Sequence, residues 1–242
     1  QYEATWREAL APAHARLVAS ARLAAGDRVL DVACGTGLVS FEAARLVGDG
    51  GHVHGIDLSG RMVASANRRA DVRRVRHATF ARSDAERLPV GDGGFDAALC
   101  ALGLMYVHDP VRALREMRRA LRPGGRLAVA VWGERRCCGW SAVFPIVDDE
   151  VESEVCPRFS RLGDAGALRR DVEDAGFADV EEHRLRVSLR FPTSAKACLA
   201  VFEGGPAALA WSRFDDGTRA RVSRRYLDAI SSWWVNLFGH CN

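Results

Sequence analysis

Apolar and polar positions along this chain change period repeatedly. Short apolar runs near 28 to 33, 52 to 56, 78 to 82, 95 to 100 and 126 to 132 read as strands, and stretches near 37 to 47, 59 to 71 and 110 to 121 repeat their apolar positions at helical spacing. Strands alternating with helices of this length imply a parallel sheet covered on both faces. The predicted fold class is therefore α/β, a doubly wound, mostly parallel Rossmann-like sheet. A leading helix is predicted from about Trp6 to Ala25, and Pro123-Gly124-Gly125 closes the helix before the fifth strand, because proline cannot continue a helix and glycine accepts a left-handed cap. After Trp132 the alternation stops. A helix is predicted near 164 to 175, a strand near 179 to 189, and helices near 193 to 203 and 215 to 231.

The first strand breaks into a glycine turn, Asp31-Val32-Ala33-Cys34-Gly35-Thr36-Gly37, and then into helix-forming residues. Glycines there accept backbone angles closed to other residues and let a ligand approach the main chain. The second strand ends in Asp57, which a parallel neighbour delivers beside that turn, where a carboxylate meets the hydroxyls of a ribose. A dinucleotide oxidoreductase would carry a third small residue three positions after Gly37. Ser40 stands there, so the match to a nicotinamide site is imperfect.

Three later motifs accompany the turn: Ser83-Asp84-Ala85 after the third run, Phe95 to Cys100 as the fourth, and Leu121-Arg122-Pro123-Gly124-Gly125-Arg126 before the fifth. In this order and spacing the chain, over about residues 26 to 132, resembles the class I S-adenosylmethionine-dependent methyltransferases, within them the small-molecule branch similar to the ubiquinone and menaquinone C-methyltransferases. The resemblance implies one methyltransferase domain over 1–242: a lid helix over 1–25, a cofactor-binding core over 26–132, and substrate caps over 133–163 and 190–231. It also implies a final antiparallel strand near the C-terminus. The tail, Ser231-Ser232-Trp233-Trp234-Val235 to Asn242, lacks the expected hairpin, so that strand is atypical here.

The resemblance assigns S-adenosylmethionine as cofactor. Ala33, Gly35, Thr36 and Gly37 then line its methionine portion and Asp31 lies where it favours the ammonium group. Asp57 accepts from the ribose hydroxyls, Leu58 and Met62 sandwich the adenine, Asp84 takes the adenine amino group and Ala85 a main-chain contact to the ring. Backbone from Ala101 to Gly103 supports the sulfonium end. Tyr106 and His108 are the candidate catalytic side chains, a neutral imidazole near neutral pH being suited to take a proton from the acceptor. His108 before Asp109-Pro110 also reads as part of a helix cap.

Composition narrows the partners. The 242 residues are 48% hydrophobic and 27% charged with a net charge of +3, enough for one full core and small for a nucleic-acid binder. The arginine clusters at Arg68 to Arg76 and Arg112 to Arg122 read as solvated helix faces, and no run is long and apolar enough to span a membrane. The chain reads as cytoplasmic, a monomer or homodimer acting on a small molecule. Its seven cysteines show no metal-ligand spacing. Cys137, Cys138 and Cys156 lie in the segment expected to cover the substrate, which keeps a thiol-assisted methyltransferase of arsenite or a similar metalloid open. A cofactor-binding scaffold without catalysis is a further alternative. The acceptor expected is apolar or aromatic, methylated at carbon, oxygen or nitrogen, with Trp132, Trp140 and Phe144 as candidate pocket walls.

Overall fold

The computed structural model describes residues 2–151 and 159–235. Its elements run α1 (Tyr2–Ser20), β1 (Arg28–Val32), α2 (Leu38–Val47), β2 (His52–Asp57), α3 (Gly60–Arg73), β3 (Ala78–Arg82), β4 (Phe95–Ala101), α4 (Pro110–Ala120), β5 (Leu121–Ala130), α5 (Val143–Val151), α6 (Ala167–Asp174), α7 (Ser194–Glu203), α8 (Ala208–Arg213) and α9 (Asp216–Val235). The strands form one sheet in the order β3-β2-β1-β4-β5, every ladder parallel. Chain order reverses at β1, which has β2 on one side and β4 on the other. In an open parallel sheet this is where a crevice opens beyond the carboxyl ends of the strands.

By contact the chain divides into two compact units. The first, Ala11–Val131 with Asp164–Leu185, contains the sheet. Val29, Val53, Ala97, Leu99 and Ala128 form an apolar layer with Leu17 and Val18 of α1, Val39, Ala43 and Val47 of α2, and Val63, Ala66 and Ala70 of α3. The alternate positions Leu30, Val32, Ala98 and Cys100 are buried on the opposite face. Burial on both sides is why these strands read as continuous apolar runs. Helix α4 buries Ala113, Leu114, Met117 and Ala120, a stripe at helical spacing, and its start is set by Asp109, whose side chain accepts from the Arg112 amide, with Pro110 in the first turn.

The second unit comprises the described parts of Gln1–Leu10, Trp132–Gly163 and Arg186–Asn242. Its centre is aromatic. Trp132 and Trp140 have ring centroids 5.1 Å apart, Trp140 also meets Phe144 and Phe159, and Trp6 donates its indole N–H to the Ala200 carbonyl at 3.1 Å. Phe202 stacks on Trp211 at 4.5 Å, and Arg221 and Arg225 of α9 pair with Glu150 and Asp149 of α5.

Several predicted elements differ from those observed. Residues 179–189 form no strand; they run mostly exposed without ladder partners among the described residues. Alternation such as Leu185, Val187, Leu189 is a local signal, whereas a strand exists only when its backbone groups find a partner. The apolar patch after residue 142 is helical, as α5, with Pro145 in the first turn, where its missing N–H has no intrahelical acceptor to lose. The short α8 was not expected, and the leading helix starts at Tyr2 and ends at Ser20. Strand β5 begins at Leu121, opposite Phe95. The register then jumps so that Arg126 lies opposite Ala97, leaving Pro123-Gly124-Gly125 as a bulge with Gly124 at φ 75°. Of the tail where a final strand was expected, Ser231 to Val235 belong to α9, and residues 236–242 lie outside the described residues, as does Cys156.

Candidate functional site

At the carboxyl end of β1 the chain passes Ala33, Gly35 and Gly37 at φ of 58, 56 and 83°, a left-handed course that forces the tight turn into α2. A side chain on Gly37 would begin 2.9 Å from Phe41 and 3.1 Å from Phe80, whereas one on Gly35 would meet nothing within 4 Å. The turn is thus closed on its sheet side and open at Gly35. The Gly35 amide donates to Asp57 Oδ2 at 2.8 Å and the Ser59 amide to Asp57 Oδ1 at 2.8 Å. The carboxylate that ends β2 therefore holds the glycine turn and the start of α3 together. Each of its oxygens retains a second lone pair for a ligand hydroxyl.

Asp31 is buried, 1% exposed, on the same strand. Its Oδ2 accepts from the Ser40 hydroxyl at 2.5 Å, and its Oδ1 has no hydrogen-bond partner. Burial, reinforced by the nearby Asp57 charge and opposed by the Ser40 bond, pushes its carboxyl up from the ordinary 3.8 to about 7. Thr36 Oγ1 is likewise buried without a partner. A native chain leaves few such atoms unsatisfied. Two of them beside one open turn fit a ligand carrying both a cation and a hydrogen-bonding group, as the ammonium and carboxylate of S-adenosylmethionine do. Arg69 donates to the Thr36 carbonyl at 2.8 Å and fixes the turn from α3.

The remaining predicted positions lie within the same unit. Leu58 is 65% exposed and Met62 half-buried on the first turn of α3. The Ser83 amide donates to the Asp57 carbonyl at 3.1 Å, which brings Asp84 and the half-buried Ala85 beside the end of β2. Asp84 is exposed and accepts the Glu86 amide at 2.9 Å. On the other side, β4 runs out through Ala101 into Leu102, at φ 55°, whose amide donates to the Ala130 carbonyl. Gly103 passes so close to the turn that a Cβ on it would lie 2.3 Å from the Cβ of Ala33. Tyr106 is 56% exposed and His108 is exposed.

Sequence reasoning missed the residue that fastens this last loop. Glu86 Oε1 accepts the amides of His108 at 2.8 Å and Asp109 at 3.0 Å. It missed also the part of Ser40, which it met only as a departure from a nicotinamide pattern. In the second unit, Cys138 is half-buried, donates to the Gly133 carbonyl, and has its thiol pushed up to about 11 by burial, so it is protonated at neutral pH. Trp140 Nε1 is buried there without a partner. Among the described residues no group of three or more metal-binding side chains converges, and no helix is long and apolar enough to cross a membrane.

Comparison with known proteins agrees with this geometry. Residues 29–125 match the family model described as a methyltransferase domain. The chain is 30% identical over 187 residues to the ubiquinone/menaquinone biosynthesis C-methyltransferase UbiE of Coxiella burnetii, covering 69% of this chain and 73% of that protein. Among solved structures, the [4+2]-cyclase SpnF superposes with a TM-score of 0.60 at 25% identity, over 96% of this chain and 79% of that one. A methyltransferase from Aquifex aeolicus shares the fold with a TM-score of 0.53 at 21% identity, over 67% and 78%. A fold that also serves a cyclase does not name a reaction by itself; the sequence relationship to UbiE does so at the level of the family. The chain belongs to the class I S-adenosylmethionine-dependent methyltransferases, in the family of the ubiquinone/menaquinone C-methyltransferases, and S-adenosylmethionine is its cofactor.

Proposed function

We propose that this enzyme methylates a ring carbon of a quinol, the reduced form of a quinone lacking one ring methyl group. The observation that carries the reading is the relationship to a quinone C-methyltransferase, 30% identical over 187 residues and so longer than the stretch 29–125 that matches the methyltransferase-domain model. S-adenosylmethionine supplies a methyl group already activated on a sulfonium, so the protein's part is to bind, align and move a proton. In this reading Asp31 Oδ1 faces the ammonium, Thr36 and the amides of Gly35 and Gly37 the methionine carboxylate, and Asp57 the ribose. Leu58 and Met62 flank the adenine, and Asp84 and Ala85 read its edge. Ala33 and Ala101 border the sulfonium.

His108 takes the proton of a quinol hydroxyl. The phenolate that results places electron density on the neighbouring ring carbon, whose electron pair forms the new carbon–carbon bond to the methyl group as the methyl–sulfur bond breaks, its electron pair staying on the sulfur of the departing S-adenosylhomocysteine. The ring hydrogen at that carbon then leaves as a proton and aromaticity returns. Tyr106 lies on the same loop, two residues before His108, and orients the hydroxyl.

The test is an incubation of the enzyme with methyl-labelled S-adenosylmethionine and a short-tailed naphthohydroquinone kept reduced by dithionite, with the product's label located by mass spectrometry and NMR. Label on the ring carbon is expected, with His108→Ala slower by about a hundredfold. Label on oxygen, or none where a quinone methyltransferase under the same conditions gives product, would overturn the carbon assignment.

A further inference from the structure

Glu86 lies outside the residues assigned to the cofactor or the proton, yet it is bonded to both sides of the site. Its amide donates to Asp84 Oδ1 at 2.9 Å. Its carboxylate oxygen Oε1 accepts two consecutive amides, His108 at 2.8 Å and Asp109 at 3.0 Å, across 22 and 23 residues of sequence. Its carbonyl accepts from Arg112 Nε at 3.1 Å. The two amides stand just ahead of α4, at the helix end where a carboxylate is favoured by the macrodipole, and charge-assisted bonds of this kind are about twice as strong as neutral ones. Upstream of them, the Gly103 backbone is pressed against Ala33 of the glycine turn. The segment 102–109 is thus pinned at one end to the turn and at the other to the loop of Asp84.

We propose that Glu86 is a positioning residue that couples adenine recognition at Asp84 to the placement of the loop carrying Tyr106 and His108. It rests on the cofactor placement proposed for Asp84. A ligand that orders Asp84 orders the Glu86 amide bonded to it, and the Glu86 side chain passes that order to the two amides bracketing the His108 Cα. The device makes the proton-taking imidazole settle when the cofactor is in place, and it needs only an oxygen acceptor at this position.

Hydrogen exchange followed by mass spectrometry on the full chain, with and without S-adenosylhomocysteine, tests this in the wild type, Glu86→Gln and Glu86→Ala. In the wild type the ligand should slow exchange over 102–109 by about tenfold, within the usual range of coupling between two sites. Glu86→Gln, whose amide oxygen still accepts both N–H groups, should keep that slowing. Glu86→Ala should lose it, while peptides from β1 and the glycine turn stay protected by the ligand. Retained slowing in Glu86→Ala, loss in Glu86→Gln as complete as in Glu86→Ala, or loss of protection at β1 as well would each overturn the coupling role. Asp84→Ala separates the underlying reading: an unchanged dissociation constant for S-adenosylhomocysteine refutes the adenine placement itself.

Discussion

Replacing Asp31 by asparagine should make the protein more stable as pH rises, relative to the wild type, while weakening its hold on the cofactor. The folded carboxyl is pushed from 3.8 to about 7, chiefly by burial. A raised folded value means that the native state binds the proton more tightly than the unfolded chain. Below 3.8 both states are protonated and nothing is lost; between 3.8 and about 7 stability falls as pH rises; above that the full penalty is present. At 1.36 kcal/mol per unit, about three units give a penalty of about 4 kcal/mol, of which about 2.5 kcal/mol develops between about pH 5 and about pH 8. Asparagine does not ionise and its oxygen still accepts the Ser40 hydroxyl. Its buried N–H groups add a destabilisation of about 1–3 kcal/mol that does not vary with pH. Urea unfolding of both proteins across this range should therefore show the difference moving in favour of Asp31→Asn by about 2.5 kcal/mol. A cation brought to Oδ1 favours the ionised form, so the wild type should bind S-adenosylmethionine more weakly as pH falls below about 7 and release a proton on binding; Asp31→Asn should bind weakly at every pH. Parallel stability profiles for the two proteins would refute the reasoning, as would equal affinities.

Two further substitutions probe the turn. Gly103→Ala places a Cβ 2.3 Å from that of Ala33, and should cost about 1–3 kcal/mol in chemical unfolding while displacing Ala101 and weakening S-adenosylhomocysteine binding. Unchanged binding would mean that the close approach has no part in the site. Thr36→Val removes a buried hydroxyl that has no partner within the chain, so its melting temperature should hold or rise while S-adenosylhomocysteine binds about fivefold more weakly; a fall in melting temperature without loss of affinity would contradict the role given to Oγ1.

The strand and turn frame of the candidate site was legible because its signals are local. A parallel strand buried on both faces is a continuous apolar run, a turn into a helix needs its glycines, and a polar residue ending such a run, as Asp57 and Asp84 do, stands out. Glu86 carries no such mark: a glutamate in an exposed loop is ordinary, and its meaning comes from amides 22 and 23 residues away. The segment 179–189 shows the opposite failure, since its alternation satisfied the local rule while its pairing depended on chain far removed in sequence. Helix α5 was missed because a short apolar run does not by itself distinguish a helix from an extended segment. The unpartnered Oδ1 of Asp31 appears only once burial and the Ser40 bond are both in view.

The most direct test is calorimetric titration of the wild type and of Asp57→Ala with S-adenosylhomocysteine, with NAD as the competing ligand. Binding with a dissociation constant on the order of micromolar in the wild type, abolished in Asp57→Ala and absent for NAD, is the result predicted. Binding of NAD instead, or S-adenosylhomocysteine affinity indifferent to Asp57, would contradict the placement of the cofactor at this turn.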